Sequence, residues 1–199
     1  MSYAKILTRP AKRGEHKMQI TTHFNDSEFK CTHCLHNEIK TAFVEHLEQL
    51  YGLLDKAIGI KAIYVNSGYR CAQHSLAVGG YTDDCHVLGF GADIHVLDKQ
   101  GKRLSAYVIA EAAELLDFGG IGIITTTDIH LDDRGRYPYK NNHWFGNEAS
   151  GENYTTFIGG SEYTNELRMA VRQTETTKKQ IKIKLYLDDK EYSGLLTED

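Results

Sequence analysis

The sequence predicts an α+β fold, a small, mostly antiparallel sheet flanked by helices. Three observations carry that prediction. Two segments, Thr41–Ile58 and 105–117, place apolar residues at helical spacing. Four short β-rich segments, 61–66, 92–97, 121–126 and 128–132, are interspersed with them. Gly-containing breaks at 59, 68, 79–80 and 119–120 separate the elements.

Residues 1–20 are polar and basic, with Lys5, Arg9, Lys12, Arg13 and Lys17, and read as an arm or a loosely packed strand. The first helix follows from Phe43, Val44, Leu47, Leu50, Tyr51 and Leu54, with Gly59 as its stop. The strand 61–66 ends at Ser67-Gly68. A helical turn over 71–78 closes at Gly79-Gly80, and 81–91 is loop, rich in Gly and Asp. The strand 92–97 precedes a second amphipathic helix whose apolar side holds Val108, Ile109, Ala112, Leu115 and Leu116. The strands 121–126 and 128–132 are tightly connected, and 133–160 reads as ordered loop. After Gly159-Gly160 come a polar helix over 162–177 and a Lys-striped hairpin, 181–187 with 191–195. The predicted division is an arm (1–20), a body (21–160) and an appendage (161–199).

Composition narrows the function classes. With 199 residues, 25% charged and 41% hydrophobic, the chain is neither collagenous, mucin-like nor wholly disordered. No run approaches 18 apolar residues, so no membrane insertion is expected. A net charge of −4 argues against binding nucleic acid by bulk charge. Four Cys are too few for a disulfide scaffold. The first residues lack an apolar signal region, so synthesis in a cytosol without export by a signal peptide is expected.

The chemistry-bearing residues fall in three places. His86 lies in a Gly-rich loop and Asp93 at the start of a strand, seven residues on, a spacing that lets both converge on one metal ion. On the strand 128–132, Asp128, His130 and Asp132 share one face. Three such groups with no Lys or Arg among them need a compensating cation, and Zn²⁺ takes imidazole and carboxylate ligands. Arg70 follows a strand end, well placed to hold an anionic group through its guanidinium.

These motifs in this order, Ser67-Gly68-Tyr69-Arg70, then Val78-Gly79-Gly80, then the His86-to-Asp93 segment, then Gly119–Ile123, then Ile129-His130-Leu131-Asp132-Asp133-Arg134, resemble the peptidase M15 family. That family comprises zinc D-Ala-D-Ala carboxypeptidases and L-Ala-D-Glu endopeptidases and shares its core with the hedgehog signalling domain. The small phage, prophage and bacterial-envelope members are the most similar subgroup, and the stretch 23–34 resembles their opening motif. The resemblance covers about residues 20–145 and implies a hedgehog/DD-peptidase-like fold with one catalytic zinc on His86, Asp93 and His130. It implies that Arg70 holds a substrate carboxylate. The family's usual Ser is Asp84 here, which adds a negative charge beside the site, and its usual Ala is Gly91. Some members place a Glu shortly before the third ligand; here none is present, so Asp132, with Asp128 as the other candidate, is expected to be the general base. His95 shares the face of Asp93 and reads either as a partner of the site or as a structural histidine. Trp144 is expected to wall the cleft. His46, His74 and His143 read as structural.

The implied activity is hydrolysis of peptide bonds in peptidoglycan stem peptides, by a monomer that acts at the bacterial cell wall as a phage or prophage endolysin or virion component. The alternatives are an inactive wall-binding or virion module on the same fold, and a different amide hydrolase. The Cys31-Thr32-His33-Cys34 stretch has metal-ligand spacing, but a structural zinc needs four ligands and no second C-x-x-C half follows. His23 is the residue considered to extend the set, and a pair of partly buried thiols is the favoured reading. Cys71 and Cys85 bracket a short loop that a disulfide would close in an oxidising space.

Overall fold

The computed structural model describes residues 18–179 together with 181–187 and 190–196, with side chains described for 18–176. A 3-10 turn, Asp26–Phe29, opens the described chain under a capping box made by Asn25 and Glu28. The helix α1 (Thr41–Ile58) buries Phe43, Val44, Leu47, Leu50 and Leu54, the predicted apolar stripe. Gly59 ends it with φ +69°, a conformation that favours glycine. Strand β1 (Ile60–Ser67), the short helix α2 (Ala72–Ala77) and strand β2 (Gly91–Asp98) follow. Helix α3 (Ala106–Glu114) starts on Ser105, whose hydroxyl accepts from the Tyr107 N–H. Strands β3 (Gly120–Ile123) and β4 (Ile129–Asp132) come next.

The stretch 133–160 is more ordered than the loop predicted for it. It holds a 3-10 turn (Arg134–Arg136) and two further strands, β5 (Asn142–Phe145) and β6 (Glu152–Tyr154). Both are short and hold no β-branched residue that would mark them as strands in the sequence. They extend one six-stranded sheet in the order β1-β2-β4-β3-β5-β6, in which only β3 and β5 run parallel. Helix α4 (Thr164–Lys179) is followed by a separate hairpin of β7 (Ile181–Leu187) and β8 (Lys190–Leu196). The Lys stripe of that hairpin lies outside the residues whose side chains are described, as does most of the basic arm.

The core lies between one face of the sheet and the helices. Ala92, Ile94 and Val96 of β2, Ile121 and Ile123 of β3, and Ile129 and Leu131 of β4 point into it, against apolar residues of α1 and α3. Burying each large aliphatic side chain there is worth about 1.5–3 kcal/mol. Leu167 and Ala170 of α4 are buried in the same core, and Lys56 of α1 donates to the Ala170 carbonyl. Helix α4 is thus packed on the body. Among the described residues no helix is long and apolar enough to cross a membrane.

The period of two that sends these aliphatic residues inward sends their neighbours to the opposite face. Across five strands the register lines up Ser67, Asp93, His130, Gly122 and Trp144. That row forms the floor of the site.

Candidate active site and metal centre

His86 reaches the row from the loop between α2 and β2. Gly89, with φ +76°, turns that loop; a Cβ there would meet the Glu38 carbonyl at 2.2 Å, so only glycine fits. The Gly89 carbonyl in turn accepts from the Lys40 N–H at 2.7 Å. The His86 ring donates from Nδ1 to the Gly68 carbonyl at 2.8 Å, which leaves Nε2 with a free lone pair. Gly68 itself lies against the backbone of Phe29, where a Cβ would come within 2.6 Å of Cα.

Three donor atoms converge. His86 Nε2 and His130 Nδ1 are 3.2 Å apart, His130 Nδ1 and Asp93 Oδ1 2.9 Å, and His86 Nε2 and Asp93 Oδ1 3.3 Å. A tetrahedral zinc with bonds of about 2.0–2.1 Å separates its N and O ligands by roughly 3.3 Å. The set therefore fits a zinc ion with two neutral imidazoles and one carboxylate. Burial alone would raise the Asp93 carboxyl, but the contacts with the His130 and His86 rings outweigh it and hold the group far below the usual carboxylate range. Arg70 donates from Nη2 to the other oxygen of Asp93 and from Nε to the Ser67 hydroxyl at 2.8 Å. The arginine predicted to meet substrate thus also orients one of the three converging donors.

Asp132 and Asp128 do not stand where the sequence predicted a base. Asp132 is fully buried behind His130, where its Oδ2 accepts from the ring Nε2 at 3.0 Å. The same carboxylate accepts from the Arg134 N–H at 2.8 Å and from Nε and Nη2 at 3.0 and 2.7 Å. Burial would raise its pKa, but His130 and Arg134 push it far down. Asp132 therefore fixes the His130 ring and has no face toward the cleft. Asp128 accepts from Asn66, Thr125 and Arg103 at 2.9, 2.7 and 2.8 Å, at the far end of the strand. Sharing a strand face was not enough, because Asp128 precedes β4 and Asp132 ends it, and the two meet different neighbours.

Asp84 proves to be a turn residue. Its carboxylate accepts from the Ser75 hydroxyl and from the Val87 and Tyr81 N–H groups. Those contacts close the loop that carries His86, so the extra charge is absorbed locally. His95 pairs with Asn66 at 2.7 Å and stacks on Tyr64, away from the three converging donors. His46 is buried between Asp133 and the Leu116 carbonyl, and His143 stacks on Phe157. The four cysteines are free; Cys71 lies beside Cys31 and Cys34 rather than Cys85, so the loop-closing disulfide is not formed.

Cys85 forms a second grouping with His130 and Asp132. There the Arg134 guanidinium, 3.8 Å from the Cys85 sulfur, already supplies the positive charge. The site opens into a cleft of about 610 Å³ walled by Phe90, Tyr139 and Trp144. The Trp144 ring is 5.6 Å from His130 and occupies the space Gly122 leaves; a Cβ on Gly122 would come within 2.3 Å of the indole.

Sequence reasoning missed Glu148, which lies 18 residues past His130 in the cleft wall. Arg134 donates to both of its oxygens, and Asn142 to one at 3.0 Å. Burial would raise its pKa, but these contacts and the nearby His130 hold it below the ordinary value. Arg134, within the quoted motif, was the only available signal for it.

A family model described as Peptidase M15 matches residues 20–132, more than half of the chain. No curated protein and no solved structure matches it. The matched span holds Arg70, His86, Asp93 and His130, the residues that meet at the floor of the cleft, and the chain belongs to the peptidase M15 family.

Proposed function

We propose that the protein is a zinc-dependent peptidase that cuts peptide bonds in peptidoglycan stem peptides. The observation that carries this is the convergence of His86, Asp93 and His130 at 2.9–3.3 Å on the floor of an open cleft, with Arg70 beside them. His86, Asp93 and His130 would hold the ion. Zinc, when bound, supplies a Lewis acid for the scissile carbonyl and lowers the pKa of a water toward about 7.

The chain supplies the rest. The Gly68 carbonyl and Asp132 hold the two imidazoles in the tautomers that present Nε2 of His86 and Nδ1 of His130. Glu148, an ionised carboxylate in the same cleft, takes a proton from water and returns it to the leaving amine. Arg70 keeps its Nε and Nη2 on Ser67 and Asp93 and offers Nη1 to a carboxylate of the substrate. Stem peptides carry such carboxylates on D-Glu, diaminopimelate and terminal D-Ala. Tyr139 and Trp144 offer apolar walls to the peptide. A phage or prophage lysin, acting on the wall after release or from the virion, is the biological setting this chemistry suits.

The test is metal content of the purified chain together with digestion of purified peptidoglycan, with and without chelator. Bound zinc and chelator-sensitive release of new amino and carboxyl termini are expected, and mass spectrometry of the fragments separates endopeptidase from carboxypeptidase. Zinc at the site with intact peptidoglycan would overturn this reading in favour of a wall-binding module or another amide substrate.

A further inference from the structure

We propose that Cys31, Cys34, Cys71 and His74 form a second metal site, a structural zinc centre separate from the His86, Asp93 and His130 cluster. The half-site that the sequence lacked as C-x-x-C is present as Cys71-Ala72-Gln73-His74. His23, considered for that place, instead binds Glu48 at 2.7 Å and stacks on Tyr51.

The sulfurs of Cys31, Cys34 and Cys71 lie within 4.8 Å of one another. A tetrahedral zinc with Zn–S bonds of about 2.3 Å sets its sulfurs roughly 3.8 Å apart, so small side-chain rotations suffice. The His74 Nδ1 is 3.3 Å from the Cys31 sulfur. His33, more exposed, has its Nδ1 3.4 Å from the Cys71 sulfur and is the competing fourth ligand. His74 is favoured because it is partly buried and rides on α2, one turn beyond Cys71. The Cys71 N–H points at the Cys31 sulfur at 3.4 Å, a contact that favours a thiolate.

Two further observations separate a metal site from a disulfide. Three sulfurs converge, and a disulfide would use two and strand the third. The turn that carries Cys31 and Cys34 is closed by backbone hydrogen bonds from Cys31 to His36 and from Leu35 to Cys31, both 2.9 Å, but buries little apolar surface. Thr32, His33, Leu35 and His36 are exposed, and within it Cys31 alone is buried. A turn whose one buried side chain is a cysteine is where a metal contributes folding energy.

The placement gives the centre a task. It would tie the turn 31–36 to Cys71, the residue after Arg70. The same two segments already touch where the Tyr69 N–H donates to the Phe29 carbonyl at 2.9 Å. Gly68, which orients His86, and Arg70, which orients Asp93, both lie in the segment so held.

The test is cobalt substitution of the full chain with metal counting. The catalytic cluster has only nitrogen and oxygen ligands, so thiolate-to-cobalt charge-transfer absorption reports the cysteine site alone. The expected result is two metals per chain and a strong charge-transfer band. His86→Ala should lose one metal and keep the band. Cys34→Ser and His74→Ala should lose the band, and His33→Ala should retain it. Cobalt-loaded wild type without the band, or disulfides found by mass spectrometry of the native protein, would overturn the proposal even if the variants fail to fold. Loss of the band in His33→Ala but not His74→Ala would overturn the choice of fourth ligand. A band with no peptidase activity leaves this site standing and removes the catalytic reading.

Discussion

Asp132 lies 3.0 Å from Nε2 of His130, behind the ring, while Nδ1 of the same ring faces Asp93 and His86. A carboxylate in that position sets the direction of a metal ligand and raises its basicity. Asp132→Asn is therefore expected to weaken zinc binding about 10–100-fold. Competition with a chelator of known affinity measures this. Unchanged affinity with a collapse of turnover would instead restore Asp132 as the base.

Glu148 carries the complementary expectation. Glu148→Gln keeps the shape and a hydrogen-bond acceptor for Arg134 but cannot take a proton. Zinc content should stay at the wild-type level while kcat falls about 10²–10⁴-fold. Rates on a soluble muropeptide, with metal counted in the same samples, decide it; a variant with near wild-type kcat would remove Glu148 from the mechanism.

Gly122 can be probed through Trp144. A Cβ would come within 2.3 Å of the indole, which has no room to retreat without leaving its packing on His130. Gly122→Ala should cost about 1–3 kcal/mol of stability through overpacking. Trp144 is the only tryptophan in the chain, so its fluorescence reports the displacement directly. An unchanged spectrum and unchanged urea midpoint would contradict the contact.

Glu111 supplies a pH dependence remote from the site. It is buried on α3 and accepts from the Gly159 and Ser161 N–H groups at 2.7 and 3.1 Å and from the Thr164 hydroxyl at 2.9 Å. Burial would raise its pKa, but these bonds outweigh it and lower it. A depressed folded pKa means the contribution is present above the unfolded value, about 4.3, and lost as pH falls through the folded value. Urea midpoints should drop with acidification below about pH 4.3, with a shallower drop in Glu111→Gln. The substitution itself should cost about 1–3 kcal/mol at neutral pH. Parallel curves for the two proteins would show that Glu111 does not titrate with unfolding.

The residues legible in sequence share a cause. The stripe of α1 appears with its predicted bounds, because eighteen residues give a 3.6-residue period room to repeat. The strands β1, β2 and β4 were visible as β-rich segments, and the pairing of β2 with β4 is what sets Asp93 beside His130. Strands β5 and β6 escaped because Asn142–Phe145 and Glu152–Tyr154 hold no β-branched residue, whereas the equally short β3 and β4 are marked by isoleucines. Glu148 escaped because it lies in a loop, and Arg134 brings it to the cleft through space rather than by spacing.

By itself the sequence determined the α+β class, the main helix and the strands on which Asp93 and His130 lie; that His86, Asp93, His130 and Arg70 belong together came from the resemblance to the peptidase M15 family. Local periodicity and glycine placement are written in consecutive residues, so they are readable there. The tertiary structure alone decided that Asp132 backs His130 instead of facing water, and that Cys71 and His74 join Cys31 and Cys34 across 40 residues of chain. Those roles depend on which side of a ring or turn a distant group approaches, and no local spacing encodes that direction.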